Sequence, residues 1–186
     1  MKLIDLRKTE RRHLSFAKKG QYLVFFHNLS GKLVFELNTS GIELYIYGLY
    51  TGSDKERYNI ETIQHHTSPG STSDLLIKGV FDGSSKFIYQ GLIRLDKGAQ
   101  QSHAYQKNQN LIISPNVFVD SRPFLEILAN DVFCTHGSTT GRINQEQILY
   151  LQSRGLTKKD AQNAIISGFT NEVVLKVKEK VSDFEF

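Results

Sequence analysis

The segment DLLIKGVFDGSSKFIYQGLIRLDKGA, residues 74–99, decides the fold class. Two runs rich in Ile, Leu, Phe and Tyr, residues 74–81 and 86–95, are separated by Asp82-Gly83-Ser84 and followed by Asp96-Lys97-Gly98. Aliphatic and aromatic runs of this length are typical of half-buried strands, and Asp and Gly are residues that tight turns require. The segment therefore predicts two strands joined by a turn.

The same pattern extends over residues 20–135, which we predict to be all β. Further runs lie at residues 21–26, 32–37, 42–50, 58–65, 103–113, 117–120, 125–128 and 132–134. Turns that recur about every ten residues fit a sandwich, a barrel or a solenoid of stacked rungs. Phe and Tyr are spread over nearly every run, as stacked rungs with one shared core require, and this favours the solenoid.

The periodicity changes after Gly141, where we predict helices. Asn144 is a candidate N-cap for a first helix that Gly155 ends, and Thr157 opens a second helix. A third helix is predicted over residues 171–181. These signals divide the chain into a β domain, residues 1–140 with a basic lead-in over residues 1–20, and a helical region, residues 141–186. The helices would either cap the open end of the β domain or form a docking surface for another protein.

Charge distribution, cysteine content and hydropathy limit which kinds of protein this chain can be. The 186 residues carry a net charge of +4, and residues 1–20 hold seven Lys and Arg against two acidic residues. No aromatic or Arg-Gly pattern accompanies this basic segment, so it does not predict nucleic-acid binding. The single cysteine excludes an internal disulfide, and no run is long and apolar enough for a membrane span or a signal peptide. We expect a cytoplasmic protein without a membrane partner.

The chain's only cysteine, Cys134, lies two residues before His136, so on a strand both side chains project from one face. Cys and His are good ligands for transition metals, but zinc patterns need three or four ligands. The pair cannot complete a site alone. The alternative is ordinary packing, with the cysteine as a small buried residue and the histidine bonded to a neighbour.

Longer motifs extend over most of the chain and are densest from residue 64 to residue 170. They are His65-His66-Thr67, Lys78-Gly79-Val80-Phe81-Asp82-Gly83, Tyr89-Gln90-Gly91, Lys97-Gly98-Ala99-Gln100, Gln109-Asn110-Leu111-Ile112-Ile113-Ser114, Asp120-Ser121-Arg122-Pro123, Leu125-Glu126-Ile127, Asn130-Asp131-Val132, Cys134-Thr135-His136-Gly137-Ser138-Thr139-Thr140-Gly141 and Tyr150-Leu151-Gln152-Ser153-Arg154-Gly155-Leu156. Together these motifs resemble the SufB/SufD family of iron–sulfur cluster assembly scaffolds, most closely its SufD branch.

The resemblance implies a right-handed parallel β-helix followed by a small helical region. It implies a non-catalytic scaffold that pairs with SufB through the β-helices and docks the ATPase SufC through the helical region, in the cytoplasm or a plastid stroma. The chain has no phosphate-binding GxxxxGK[ST] loop of its own. The docking residues expected from the resemblance are Tyr150, Leu151, Arg154, Ile165 and Phe169.

The family places cluster chemistry at the interface of the two scaffolds, with a Cys from SufB and a His from SufD that matches His136. The resemblance thus implies that His136, together with Cys134, forms one half of a metal site shared with the partner chain. A thiolate at Cys134 would need a lowered pKa. Asp131 and Glu126 are candidate hydrogen-bond acceptors behind them. No cofactor is expected to bind this chain alone, although a transient iron–sulfur cluster would form in the complex.

Two other functions stay open, a structural homodimer and a carbohydrate-active enzyme. Family members have a longer region before the β-helix, which here would begin near residue 10, and more chain after the helices. The chain could therefore be a structural homodimer without cluster chemistry. A carbohydrate-active β-helix enzyme would instead need paired carboxylates about 5 to 9.5 Å apart on a groove face. Removal of residues 141–186 is expected to abolish ATPase binding and leave the β domain folded.

Overall fold

The computed structural model describes all residues from Met1 to Phe186. Eleven parallel strands form two sheets, and two helices follow them. Sheet A contains, in spatial order, β1 (Lys2–Asp5), β3 (Gly20–His27), β5 (Ile42–Gly52), β7 (Thr72–Phe81), β9 (Ser102–Ile112) and β11 (Val132–Arg142). Sheet B contains β2 (His13–Phe16), β4 (Gly31–Leu37), β6 (Arg57–His66), β8 (Lys86–Leu95) and β10 (Phe118–Ile127). The helices are α1 (Gln145–Ser153) and α2 (Lys158–Lys180).

The chain alternates between the two sheets, so each turn adds one strand to each sheet. Strand β5 pairs in parallel with β3 and β7, and β6 pairs in parallel with β4 and β8. This connectivity is a β-solenoid, which confirms the predicted fold class. At the turn after β7, Gly83 has φ +64°, and a Cβ atom there would lie 2.8 Å from the Asp54 backbone nitrogen of the previous rung. Stacked turns therefore require glycine at this position.

The interior of the solenoid changes in character along its axis. In the early and middle rungs it is filled by aliphatic and aromatic side chains, among them Phe35, Tyr50, Phe81 and Phe87. The rings of Tyr50 and Phe81 each lie 4.8 Å from that of Phe87. Towards the last rungs the buried interior side chains become polar and include Gln64, Ser73, Gln106, Asn108 and Asn110.

Helix α2 lies along the outer face of sheet A rather than over an end of the solenoid. Val173 and Val177 of α2 form a second core with residues of β3, β5 and β7, namely Leu23, Phe25, Tyr47, Leu49 and Leu76. The sequence left two roles open for the helices, and the prediction that they cap the open end of the β domain is therefore wrong. The docking surface for another protein stays a prediction. No helix in the chain is long and apolar enough to cross a membrane.

Several predicted boundaries differ from the structure. The expected second and third helices are one continuous helix, because Phe169, Val173 and Val177 repeat every four residues and keep a single face towards sheet A. The runs at residues 117–120 and 125–128 form the single strand β10, in which Pro123 is tolerated because no further strand pairs with its outer edge.

The two ends of the β region also differ from expectation. The basic lead-in is part of the solenoid, since β1 begins at Lys2 and pairs with β3. The last strand, predicted over residues 132–134, continues through Arg142. The predicted helix starts are confirmed. The Asn144 side chain accepts a hydrogen bond from the Glu146 backbone nitrogen, and Thr157 accepts one from the Asp160 backbone nitrogen at 3.1 Å.

Candidate functional site

The candidate site lies at the carboxyl-terminal end of the solenoid, where the stack stops at β10 and β11. Each of these strands pairs on one side only, with β8 and β9 respectively. Since no further rung covers them, side chains that would be buried in the middle of the stack are exposed here. Among apolar residues, this applies to Leu125 and Ile127, which lie in register with the buried Ile93 and Leu95. Further exposed apolar residues of this end are Phe118, Phe124, Leu128 and Phe133.

His136 belongs to a row of side chains on the face of sheet A that points into the interior of the solenoid. Register pairing connects Val24 to Ile46, Ile46 to Leu75, Leu75 to Gln106, and Gln106 to His136. The first four positions are buried, but His136 is exposed because the stack ends there. Its imidazole is thus a polar group on an interior row that opens to solvent at the last rung.

Cys134 occupies the next interior row of the same strand, in register with Ala104. The structure therefore brings Cys134 and His136 to one face of β11, as strand alternation predicts. The two side chains have different surroundings. Cys134 is half-buried against the small cluster formed by Ile93, Leu95, Ala99 and Ala104.

The environment of Cys134 disfavours its thiolate. Burial raises the pKa of the Cys134 thiol to about 11, because the charged form loses hydration. A thiolate ligand needs a lowered pKa, which a nearby cation or metal would provide. In the chain alone, Cys134 is therefore protonated at neutral pH.

An open cavity of about 380 Å³ adjoins His136 at this end of sheet A. It is lined by Asp74, Tyr105, Gln106, Lys107, Thr135, His136 and Gly137. Burial raises the pKa of Asp74, although Lys176, Lys180 and Lys107 oppose the shift. Asp74, Tyr105 and Thr135 share one row on the outer face of sheet A, so this cavity lies on the face opposite to the interior row of His136. No group of three or more His, Cys, Asp or Glu side chains in the chain is arranged to hold a metal ion.

The candidate acceptors Asp131 and Glu126 do not reach this cavity. Glu126 lies on β10 of sheet B, where its carboxylate is 4.0 Å from the Arg94 guanidinium. Asp131 lies in the loop before β11, and its backbone nitrogen donates to Gln100. The residue that alternation alone failed to identify is Gln106, which becomes visible only when the register of β9 and β11 is known.

The expected docking residues lie on both sides of the helical hairpin. Tyr150 and Leu151 of α1 line an open groove of about 520 Å³ together with Ile165 of α2. The Arg154 guanidinium lies 5.3 Å from the centre of the Tyr150 ring, at the end of α1. Four of the five expected residues thus cluster at or beside this groove.

Phe169 does not line the groove. Its ring lies over the Lys78 ammonium, 4.2 Å from the ring centre, and its carbonyl oxygen accepts a hydrogen bond from Lys78 at 3.1 Å. Phe169 lies one helical turn after Ile165 on the same side of α2, at the point where the helix meets Lys78 of the solenoid. This residue therefore attaches the helix to the solenoid.

Comparison with known proteins shows which family the sequence resembles. Residues 8–169 match the family described as "SUF system FeS cluster assembly, SufBD core domain". The chain is 34% identical over 157 residues to the iron–sulfur cluster assembly protein SufD of Escherichia coli. This alignment covers 84% of this chain and 36% of that protein. It is 35% identical over 97 residues to protein ABCI7, chloroplastic, of Arabidopsis thaliana, covering 52% of this chain and 20% of that protein.

A third relative is an iron–sulfur cluster assembly SufBD family protein of Mycobacterium leprae, 29% identical over 140 residues. That alignment covers 71% of this chain and 36% of the relative. The chain thus spans about a third or less of the length of these relatives. Because the family match extends over most of the chain and includes both sheets, this protein belongs to the SufBD core domain family of the SUF system of iron–sulfur cluster assembly.

Proposed function

We propose that the chain is a non-catalytic, SufD-like scaffold subunit of iron–sulfur cluster assembly. In this role it pairs with a SufB-like scaffold and docks a SufC-like ATPase, in the cytoplasm or a plastid stroma. The observation that supports the proposal most directly is the open last rung of the solenoid. It combines an exposed, interior-row histidine, His136, with a surrounding apolar surface.

The last rung has the features of an unpaired interface. The free edges of β10 and β11 carry backbone N–H and C=O groups without strand partners, and such edges pair readily with another chain. Leu125 and Ile127 of β10 are each 40% exposed, although they lie in register with the buried Ile93 and Leu95. A second solenoid that stacks end to end on this rung would bury both residues and complete the hydrogen-bonded edges.

Pairing at this end would also complete the site around His136. The chain offers one imidazole and one protonated thiol there, which is fewer ligands than an iron–sulfur cluster needs. A partner chain that contributes further ligands would make a site split between two subunits. The cluster is the cargo of this site, and His136 supplies a nitrogen lone pair to it.

The groove between α1 and α2 is the proposed ATPase-docking surface. Tyr150 is 59% exposed and Leu149 is 65% exposed beside it, although both are large apolar residues. The other face of α2 is already occupied by the solenoid. The hairpin therefore has one exposed face for a partner, and Tyr150, Leu151, Arg154 and Ile165 are the expected contacts.

A homodimer that uses the same open end is the second candidate, since the exposed rung would serve either partner. A carbohydrate-active enzyme is less well supported. On the outer face of sheet B, the carboxylates that such an enzyme would need are paired with cations, as Asp120 is with Arg122 and Glu61 with Lys32.

The test is co-expression of the chain with SufB and SufC from one source, followed by anaerobic purification and measurement of iron and sulfide. We expect His136→Ala to keep the complex and lose most of its cluster content. His13→Ala is the matched control, because His13 lies on β2 at the opposite end of the solenoid. Unchanged cluster content in His136→Ala would remove the proposed role of this histidine. Failure of the wild-type chain to form the complex would leave the homodimer.

A further inference from the structure

Gln106 is a buried amide in the interior row that ends at His136. It is 3% exposed, and the preceding residues of the row, Ile46 and Leu75, are aliphatic. Replacing an aliphatic residue by an amide in such a row costs free energy unless the amide makes hydrogen bonds. In this buried position the Gln106 amide therefore needs two hydrogen-bond partners, an acceptor for Nε2 and a donor for Oε1.

One end of this amide has a partner. The Gln106 Nε2 atom donates to the Gly91 carbonyl oxygen at 3.2 Å. A Cβ atom at position 91 would lie 2.4 Å from that nitrogen, so glycine is what allows the amide to come this close. This contact across the solenoid fixes which end of the amide is nitrogen and directs Oε1 away from Gly91.

The other end has none. Gln106 Oε1 is buried and makes no hydrogen bond. An unsatisfied buried acceptor costs about 1–3 kcal/mol, and His136 is the next residue of the same row. Adjacent strands lie about 4.8 Å apart, so the two side chains are neighbours on the interior face of sheet A.

The row that contains Asn110 shows that such a contact forms between these two strands. Asn110 of β9 is in register with Thr140 of β11, as Gln106 is with His136. Asn110 Nδ2 donates to Thr140 Oγ1 at 3.3 Å. Buried amides of β9 thus reach the exposed side chains of the last rung.

We propose that Gln106 is a positioning residue for His136. Its Oε1 atom accepts the single N–H of the neutral imidazole, which fixes one tautomer and leaves the lone pair of the other ring nitrogen free at the open end of the solenoid. Outer hydrogen bonds of this kind set the tautomer and orientation of histidine ligands. The use of that lone pair for cluster assembly rests on the function proposed above, whereas the tautomer does not.

The test is imidazole ¹⁵N spectroscopy on the full chain with labelled histidine, at about pH 8 where ordinary imidazoles are neutral. His136→Ala identifies the His136 resonances. In the wild type we expect one tautomer. In Gln106→Met, which keeps an unbranched side chain but loses the amide, the His136 ¹⁵N shifts should move to those of a tautomer mixture like that of free histidine.

Gln64→Met is the matched control. Gln64 is also a fully buried interior amide with an unpaired Oε1, but it lies on β6 of sheet B and is not in register with β11. We expect it to leave the His136 shifts unchanged. Unaltered shifts in folded Gln106→Met would overturn the proposal. A wild-type chain that already shows the free-histidine mixture would also overturn it, whether or not any variant folds. A single tautomer together with unchanged cluster content in His136→Ala would instead reject the proposed function and leave this inference standing.

Discussion

At the scale of single residues, Cys134 has the clearest chemical consequence. With its pKa raised to about 11 from 9.0, the thiol has roughly a hundred-fold less thiolate at neutral pH than an ordinary cysteine. We expect iodoacetamide to alkylate Cys134 roughly a hundred-fold more slowly in the native chain than in the denatured chain at neutral pH. The native rate should rise steadily towards pH 11. Equal native and denatured rates at pH 7 would show that the thiolate is stabilised.

The buried His66 should make the free energy of unfolding depend on pH. Burial lowers its pKa from 6.5 to about 4, and its Nε2 atom is bonded to Ser73 Oγ at 2.8 Å. The stabilising contribution is complete above pH 6.5 and is lost as pH falls from 6.5 to 4, because the unfolded chain binds the proton first. The loss amounts to about 3 kcal/mol, which is an upper bound.

Chemical denaturation at a series of pH values measures this contribution. His66→Gln should be less sensitive to acid than the wild type between pH 6.5 and 4. Parallel curves for the wild type and His66→Gln would show that His66 does not titrate between the folded and unfolded states in this range.

His136 and Cys134 illustrate what sequence reasoning reaches at this scale. Alternation along a strand placed both side chains on one face, and the structure agrees. The thiol pKa could not be predicted, because the cluster that buries Cys134 comes from β8, β9 and the loop between them. Gln106 was missed for the same reason, since its relation to His136 depends on the register between distant segments.

At the scale of elements, helix α2 is attached to sheet A by a buried ion pair. The Lys78 ammonium is bonded to the Glu172 carboxylate and to the Phe169 carbonyl. The Lys78 side chain is 4% exposed and that of Glu172 is 41% exposed. Burial opposes ionisation of Glu172, yet hydrogen bonding and attraction from Lys78 lower its pKa overall.

Because Lys78 is buried and Glu172 is partly exposed, substitutions at the two positions should differ in how much they destabilise the fold. Glu172→Gln leaves a buried ammonium without its counter-ion and should destabilise the fold by about 2–3 kcal/mol. Lys78→Met removes the buried charge itself while it keeps the packed stem, so it should cost less. Urea unfolding of both single variants and the double variant measures the order. A greater loss in Lys78→Met than in Glu172→Gln would contradict this view of the pair.

The apolar face of α2 gives a matched comparison. Val173 and Val177 are fully buried against sheet A, whereas Leu175 of the same helix is 57% exposed. Val173→Ala and Val177→Ala should each lower the free energy of unfolding by about 2 kcal/mol, and Leu175→Ala by no more than about 0.5 kcal/mol. Equal effects at all three positions in thermal or urea unfolding would argue against the packing of α2 on sheet A.

This packing revises what removal of the helices would do. The sequence treats residues 141–186 as a separate region, since the change of period after Gly141 carries no information on where the helices lie. In the structure, their removal would uncover Phe25, Tyr47, Leu49 and Leu76 on the outer face of sheet A. We therefore expect a chain that ends at residue 142 to aggregate. Its size distribution by light scattering tests this, and a monodisperse, folded product would contradict it.

At the scale of the whole molecule, turn spacing and aromatic content were enough to favour a solenoid over a sandwich or barrel. Helix starts were also predictable, because the capping residues Asn144 and Thr157 act locally. The open end was not predictable from the residues alone. Leu125 and Ile127 look like ordinary core residues in their run, and only the end of the strand order makes them exposed.

The central claim is that the last rung, rather than the first rung or the outer face of a sheet, receives the partner scaffold. Hydrogen–deuterium exchange of the chain with and without a SufB-like partner tests it most directly, because the free edges of β10 and β11 would become paired. We predict slower exchange confined to residues 118–142 on complex formation, with residues 2–16 at the opposite end unchanged. Protection at residues 2–16, with none at 118–142, would contradict the claim.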